Sequence, residues 1–333
     1  MIKRIIVHIG THKTGTTSFQ LFCSRNRCNL EACGVLYPTE WVNHNNLYFR
    51  FRSNVSEEDH ILRMGLCNER DIFDWLDRID GEFAESMATS RCETVLLSAE
   101  KFSDLNSDEV HRFVDYLRKY SNNIEMIAIL RDPVSFANSF ASENIKAGST
   151  ISVENADPPL PRYRERIYPF IRALGKSHVS VNLFSDLVRG DQLLSLGLLS
   201  KMGIELSSYD ATSAVANKSL GAKGAKLISL VNERWRLIYG LRARPPRFPD
   251  TIFNGMPDTK FTLSLETASR VVDMSAIDVQ WVLDEFGIDV NSAVYSSLES
   301  ECDVEIDQEM FVDVSLRLSL LVDQLTRSVA TVF

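Results

Sequence analysis

The stretch RIIVHIGTHKTGTTSFQ, residues 4–20, decides how this chain is read. Its first seven residues are an apolar run rich in β-branched side chains, which predicts a strand buried on both faces. The segment TTSFQLFCSRNRCNLEA (16–32) has helical character, with Phe19, Phe22 and Cys23 one turn apart. Between them, GTHKTGTT (10–17) frames four residues with two glycines. A strand, a loop of small residues and a helix together aim backbone N–H groups at one point, and the helix dipole favours an anion there. Gly15 permits close backbone approach, and Thr16, Thr17 and Ser18 add hydroxyl donors.

The position of the lysine sets this loop apart. A Walker A loop reads GxxxxGK[ST]. Gly10 and Gly15 fit that pattern, but Thr16 stands where lysine belongs. Lys13 lies inside the loop instead, where its ammonium can reach the bridging oxygen of a bound anhydride. Negative charge grows on that oxygen as the bond breaks, so a fixed cation stabilises the transition state more than the ground state. A transferred group of single charge needs less neutralisation than a phosphoryl group, which makes a metal ion dispensable.

The rest of the chain supplies a frame. GVLYP (34–38), ETVLLSAE (93–100), NIEMIAILRDP (123–133) and HVSVNLFSDL (178–187) read as strands. They alternate with helical patterns at 71–87, 107–120 and 134–148. The expected fold class is α/β, a central parallel sheet flanked by helices, with a mainly helical C-terminal region. In such sheets ligands sit beyond the carboxyl ends of the strands. Gly10–Thr17, Ser98–Glu100 and Arg131–Asp132 should therefore share one rim. Ser107 is the expected cap of its helix. The polar, Pro-containing segment 149–168 reads as an acceptor-side loop or lid, and 242–256 as a second Pro-rich connection. Residues 311–333 carry apolar positions at helical intervals.

With these residues in view, IVHIGTHKTGTTSFQ (6–20) resembles the 5′-phosphosulfate-binding loop of the sulfotransferase family. ILRDPVSFANSF (129–140) resembles the family's 3′-phosphate motif, an arginine at a strand end and a serine eight residues on. The resemblance implies a P-loop NTPase-like fold and metal-free sulfuryl transfer from 3′-phosphoadenosine 5′-phosphosulfate (PAPS). It implies that Lys13, Thr14, Gly15, Thr16, Thr17 and Ser18 bind the 5′-phosphosulfate, and that Arg131 and Ser139 bind the 3′-phosphate. NKSLGAKGAKL (217–227) is a looser match to the family's C-terminal cosubstrate loop, because the RKG sequence of the cytosolic branch is absent. Lys218 and Ser219 are candidate contacts there, with a plain helix cap as the other reading. FSDL (184–187) looks like the family's strand-exit segment. The resemblance spans residues 1–230, read as the PAPS-binding core; 231–333 reads as a helical extension that shapes the acceptor site or forms an interaction, with a homodimer contact among the options.

The acceptor hydroxyl or amine must lose a proton, and Glu100 and His12 are the candidates. Glu100 follows a strand and should point into the rim. It resembles the glutamate base of polysaccharide-modifying branches, which makes a carbohydrate the expected acceptor. His12 has a suitable ordinary pKa, but its neighbour Lys13 disfavours a second positive charge. Histidines 8, 44, 60, 111 and 178 carry weaker signals, and His44 in WVNHNN reads as a surface-loop residue or an acceptor-pocket lining.

The 333 residues carry a net charge of -9, which disfavours non-specific nucleic-acid binding. No run of the sequence approaches a membrane span. None of the six cysteines forms a CxxC pair, and the chain reads as a soluble, cytoplasmic protein with reduced thiols. Two rival functions stand beside this reading: a nucleotide-dependent small-molecule kinase, which needs magnesium and a lysine after Gly15 that this loop lacks, and a non-catalytic nucleotide-binding or assembly protein using the same fold.

Overall fold

The computed structural model describes residues 2–11, 13–66, 68–188, 193–211, 220–240, 245, 259–291, 314, 315 and 317. Five parallel strands form its sheet: β1 (Arg4–Gly10), β2 (Val35–Leu36), β3 (Thr94–Ala99), β4 (Ile124–Leu130) and β5 (Val179–Leu183). Their order is β2-β3-β1-β4-β5, so the first strand lies at the centre. The α/β expectation holds, with helices between the strands in chain order.

Alternation along the strands divides the core into two layers. Ile5, Val7 and Ile9 join Val95, Leu97, Met126 and Ala128 in one buried cluster, with Phe83, Phe113 and Phe170 from the covering helices. Ile6 joins Leu96, Ile127 and Ile129 in another, with Phe19 and Phe22 from the helix Thr16–Arg25. A strand buried on both sides has no place for solvent-facing residues, which is why β1 reads as an apolar run broken, after its leading Arg4, only by the buried His8.

Register fixes the rim. His8 pairs with Ser98, Ile9 with Ala99, and Gly10 with Ile129. The segments that follow β1, β3 and β4 therefore leave the sheet side by side.

The chain divides into two compact units. The first comprises Met1–Arg131, Pro161–Ala216 and Ile277–Val290, and holds the whole sheet. The second comprises Asp132–Leu160, Asn217–Ala276 and Asn291–Phe333. Its core gathers Ala137, Ala141, Ile145, Ala225, Ile228, Phe261 and Val271. Within it, Asn232 Nδ2 donates to the carbonyls of Ile145 at 2.8 Å and Ser149 at 2.7 Å, tying down the chain where it leaves the helix Pro133–Lys146.

Three local expectations are corrected. The helix Ser107–Arg118 is capped by Asn106, not Ser107. Asn106 Oδ1 accepts the Glu109 N–H at 3.0 Å and the Glu109 carboxylate accepts the Asn106 N–H at 3.0 Å, a reciprocal pair that Ser107 could not form with Glu109 two residues on. Segment 149–168 is largely helical, with helices Ile151–Ala156 and Tyr163–Leu174. Thr150 caps the first through the Val153 N–H, and Asp278 receives the leading N–H groups of the second. His44 is fully buried, for reasons given below. Most of 242–256 and 311–333 lies outside the described residues.

Candidate active site

The loop after β1 is closed by its own hydroxyls. Thr11 Oγ1 donates to the Ile129 carbonyl, which ties the loop to β4. Thr14 Oγ1 donates to the Thr11 carbonyl at 2.7 Å and lies 3.5 Å from Thr16 Oγ1. Thr11, Thr14 and Thr16 are buried, whereas Thr17 is exposed and Ser18 half-buried. Both glycines are required. A Cβ on Gly10 would stand 2.2 Å from Thr16 Oγ1, and one on Gly15 would stand 2.2 Å from Leu194 Cδ2. Gly15 also has φ 79° as it caps the first helix, a region that other residues enter at a cost.

Lys13 has φ 67°, left-handed without being glycine. Its peptide groups are held from both sides. The N–H donates to Glu100 Oε1 at 3.3 Å, and the carbonyl accepts from Arg131 Nη1 at 2.9 Å. Glu100 opens the 3₁₀ turn Glu100–Asp104 directly after β3, and Arg131 directly follows β4. The Arg131 guanidinium also lies over the Phe184 ring, 5.2 Å from its centroid. Three residues singled out in the sequence thus meet around one peptide, brought together from separations of 87 and 118 residues.

Beneath the loop lies a polar cluster that the sequence only hinted at. The Ser98 N–H donates to His44 Nδ1 at 3.0 Å, so the ring proton sits on Nε2, 3.1 Å from the Pro38 carbonyl. The His44 N–H returns to the Ser98 carbonyl at 2.9 Å. This satisfied bonding lets His44 be buried instead of lying on a surface loop. Gln20 Nε2 donates to Ser98 Oγ at 3.3 Å, which leaves the Ser98 hydroxyl proton for His8 Nδ1 at 2.8 Å. His8 Nε2 therefore carries a proton and is buried with no hydrogen-bond partner among the described residues. Burial pushes the His8 imidazole down to about 3, opposed by the nearby Glu100 charge. Burial likewise lowers His44 to about 4, against the raising effect of its bonds to Pro38 and Ser98. Both rings are neutral near pH 7.

Ser139 and Ser135 are half-buried on the helix Pro133–Lys146 of the second unit. Asp132 caps that helix by accepting the Ser135 N–H at 2.8 Å. His12, Lys218 and Ser219 lie outside the described residues. Sequence reasoning missed the parts of Ser98, Gln20 and His8 around the loop. For His8 and Ser98 the signal was present as polar residues near the ends of otherwise apolar strands, RIIVHIG and TVLLSAE; Gln20, on the helix that follows the loop, left none. Among the described residues, no helix is long and apolar enough to cross a membrane.

No family model matches the chain, and a search of curated proteins finds no match. Three solved structures similar to it are all sulfotransferases. One is a sulfotransferase from Alicyclobacillus acidocaldarius, 14% identical, covering 66% of this chain and 87% of that one, with a TM-score of 0.35. The sulfotransferase domain from the curacin biosynthetic pathway is 13% identical and covers 83% of this chain and 98% of that one, with a TM-score of 0.36. The sulfotransferase domain of the Synechococcus PCC 7002 olefin synthase is 11% identical, with coverages of 83% and 95% and a TM-score of 0.37.

Proposed function

We propose that this chain is a sulfotransferase that moves a sulfuryl group from PAPS to a hydroxyl or amine of an acceptor, with a carbohydrate as the expected acceptor. The observation that carries the reading is the braced, left-handed Lys13 inside a loop between a central strand and a helix. A lysine fixed within the loop suits charge developing on a bridging oxygen, as the sequence position already suggested.

In this reading Lys13, the loop N–H groups of Thr14 and Gly15, and the hydroxyls of Thr16, Thr17 and Ser18 hold the 5′-phosphosulfate, while the Thr14 hydroxyl stays bonded to the Thr11 carbonyl. Arg131 meets the 3′-phosphate, because a planar guanidinium matches phosphate oxygens. Ser139 keeps the accompanying role that its sequence spacing suggests, and Lys218 and Ser219 remain candidate contacts. Glu100 takes the acceptor proton, with His12 as the other candidate. The acceptor oxygen or nitrogen forms its bond to sulfur as the bond from sulfur to the bridging oxygen breaks. The products are the sulfated acceptor and adenosine 3′,5′-bisphosphate. No divalent cation takes part. The division into a cosubstrate-binding core over 1–230 and a helical extension over 231–333 belongs to the same reading.

Calorimetric titration with adenosine 3′,5′-bisphosphate in the presence of a chelator tests the assignment. Binding that the chelator does not weaken is the expected result. Binding of ATP with magnesium, without binding of adenosine 3′,5′-bisphosphate, would instead make the chain a kinase. Binding of adenosine 3′,5′-bisphosphate without transfer to any acceptor in a broad screen would point to a non-catalytic nucleotide binder.

A further inference from the structure

The helix Tyr163–Leu174 carries contacts that its sequence does not advertise. It is residue Arg162, with φ 50° and no side-chain capping bond, that precedes it. The missing cap comes from a distant residue. The Asp278 carboxylate accepts the Tyr163 N–H on Oδ2 and the Arg164 N–H on Oδ1, the latter at 2.9 Å. A carboxylate there also suits the positive end of the helix dipole.

From this anchored end the helix reaches both strand tips of the candidate site. Tyr163 is buried, and its hydroxyl donates to the Arg131 carbonyl. The β4–β5 ladder ends at Leu130 and Leu183, so that carbonyl lies past the last paired residue. Three residues later on the same face, Arg166 Nη1 donates to Ser103 Oγ at 2.8 Å and to Asp104 Oδ1 at 3.0 Å. Ser103 Oγ in turn donates to the Glu100 carbonyl at 2.9 Å. One helical turn thus holds the residue after β4 and the turn after β3. These are the two places from which Arg131 and Glu100 grip the Lys13 peptide.

We propose that this helix is a positioning brace: Tyr163, anchored by Asp278, sets Arg131 for the nucleotide, while Arg166 sets the turn that carries Glu100. The inference rests on the sulfuryl-transfer reading. Arg131 is then pinned at both ends, its backbone by the Tyr163 hydroxyl and its guanidinium by the Lys13 carbonyl and the Phe184 ring. Removing the hydroxyl frees the backbone end and leaves a carbonyl without its donor. The guanidinium then samples orientations that miss the phosphate.

The test compares Tyr163→Phe and Arg166→Gln with Arg118→Gln by adenosine 3′,5′-bisphosphate titration and thermal unfolding. Tyr163→Phe keeps the buried ring and is expected to weaken nucleotide affinity about tenfold. Asp278→Asn is expected to act in the same direction. Arg166→Gln is expected to weaken affinity as well, through the Glu100 turn that supports the Lys13 peptide, whereas Arg118→Gln, which removes a bond to the Ala173 carbonyl at the far end of the same helix, is expected to lower the unfolding temperature and to leave affinity within about twofold. Wild-type affinity in Tyr163→Phe would overturn the brace. So would equal weakening in Tyr163→Phe and Arg118→Gln in step with their loss of stability, the mark of a merely structural helix. A wild-type chain that does not bind the nucleotide would remove the sulfuryl-transfer reading itself, and the brace with it.

Discussion

The Lys13 backbone N–H donates to Glu100 Oε1 at 3.3 Å, so the candidate base also supports the loop that carries the candidate catalytic cation. The two roles can be separated. Glu100→Gln keeps an oxygen at Oε1 for the Lys13 N–H but cannot accept a proton. Nucleotide affinity should stay close to that of the wild type while transfer falls by about 10²–10⁴-fold. Parallel titration and rate measurements check this, and a variant that transfers normally would shift the proton to another group such as His12.

Lys13→Gly should dissociate activity from stability. Glycine adopts φ 67° without the cost of about 1–2 kcal/mol that a side chain incurs there. Its looser unfolded chain offsets much of that gain. Thermal unfolding is therefore expected to change by no more than about 1 kcal/mol. Transfer should drop by about 10²–10³-fold, the scale for removing one transition-state donor. Transfer that survives the substitution would take the lysine out of the mechanism.

Gly15→Ala meets two obstacles. Its φ of 79° disfavours a side chain, and its Cβ would stand 2.2 Å from Leu194 Cδ2. A loss of about 1–3 kcal/mol is expected by chemical denaturation. Adding Leu194→Ala should relieve only the clash, so the double variant should show a positive coupling yet remain strained at the loop.

The buried histidines make stability depend on acidity. His8 and His44 titrate at about 3 and about 4 in the folded chain, below the ordinary 6.5. Below that ordinary value the unfolded chain takes up protons that the folded chain refuses. Stability is therefore full above pH 6.5 and declines as pH falls towards 4, each ring contributing about 1.4 kcal/mol per pH unit at most. Unfolding curves for His44→Gln should show a shallower decline than the wild type over that window. An unchanged slope would mean that His44 is not held neutral.

The sheet was legible because most of β1, β3 and β4 is apolar on both faces and the strands are separated by amphipathic helices. Hydrophobic periodicity alone indicates that arrangement. The rim was legible for a different reason: a parallel sheet forces polar strand exits to one end, which placed Lys13, Glu100 and Arg131 near each other before any distance was known. What stayed hidden were contacts that leave no periodic trace. His44 looked like a loop residue because nothing in WVNHNN signals that Ser98 and Pro38 satisfy both its ring nitrogens. Nothing in the sequence sets Asp278 apart from the other acids of its helix, since its partners at Tyr163 and Arg164 lie 115 and 114 residues away. Ser107 and Asn106 both suit a cap; only the reciprocal bond with Glu109 chooses between them.

Placing the first strand in the middle of the sheet has a consequence for synthesis. A nascent chain exposes the whole glycine-threonine signature as soon as residues 10–17 leave the ribosome. The neighbours that clasp it are still untranslated: β3 comes only at residue 94 and β4 at residue 124. Long-range pairing of this kind is the slow part of folding. Competence to grip an anion therefore arrives late and all at once, and a fragment ending before Arg131 would display the motif intact while lacking the grip.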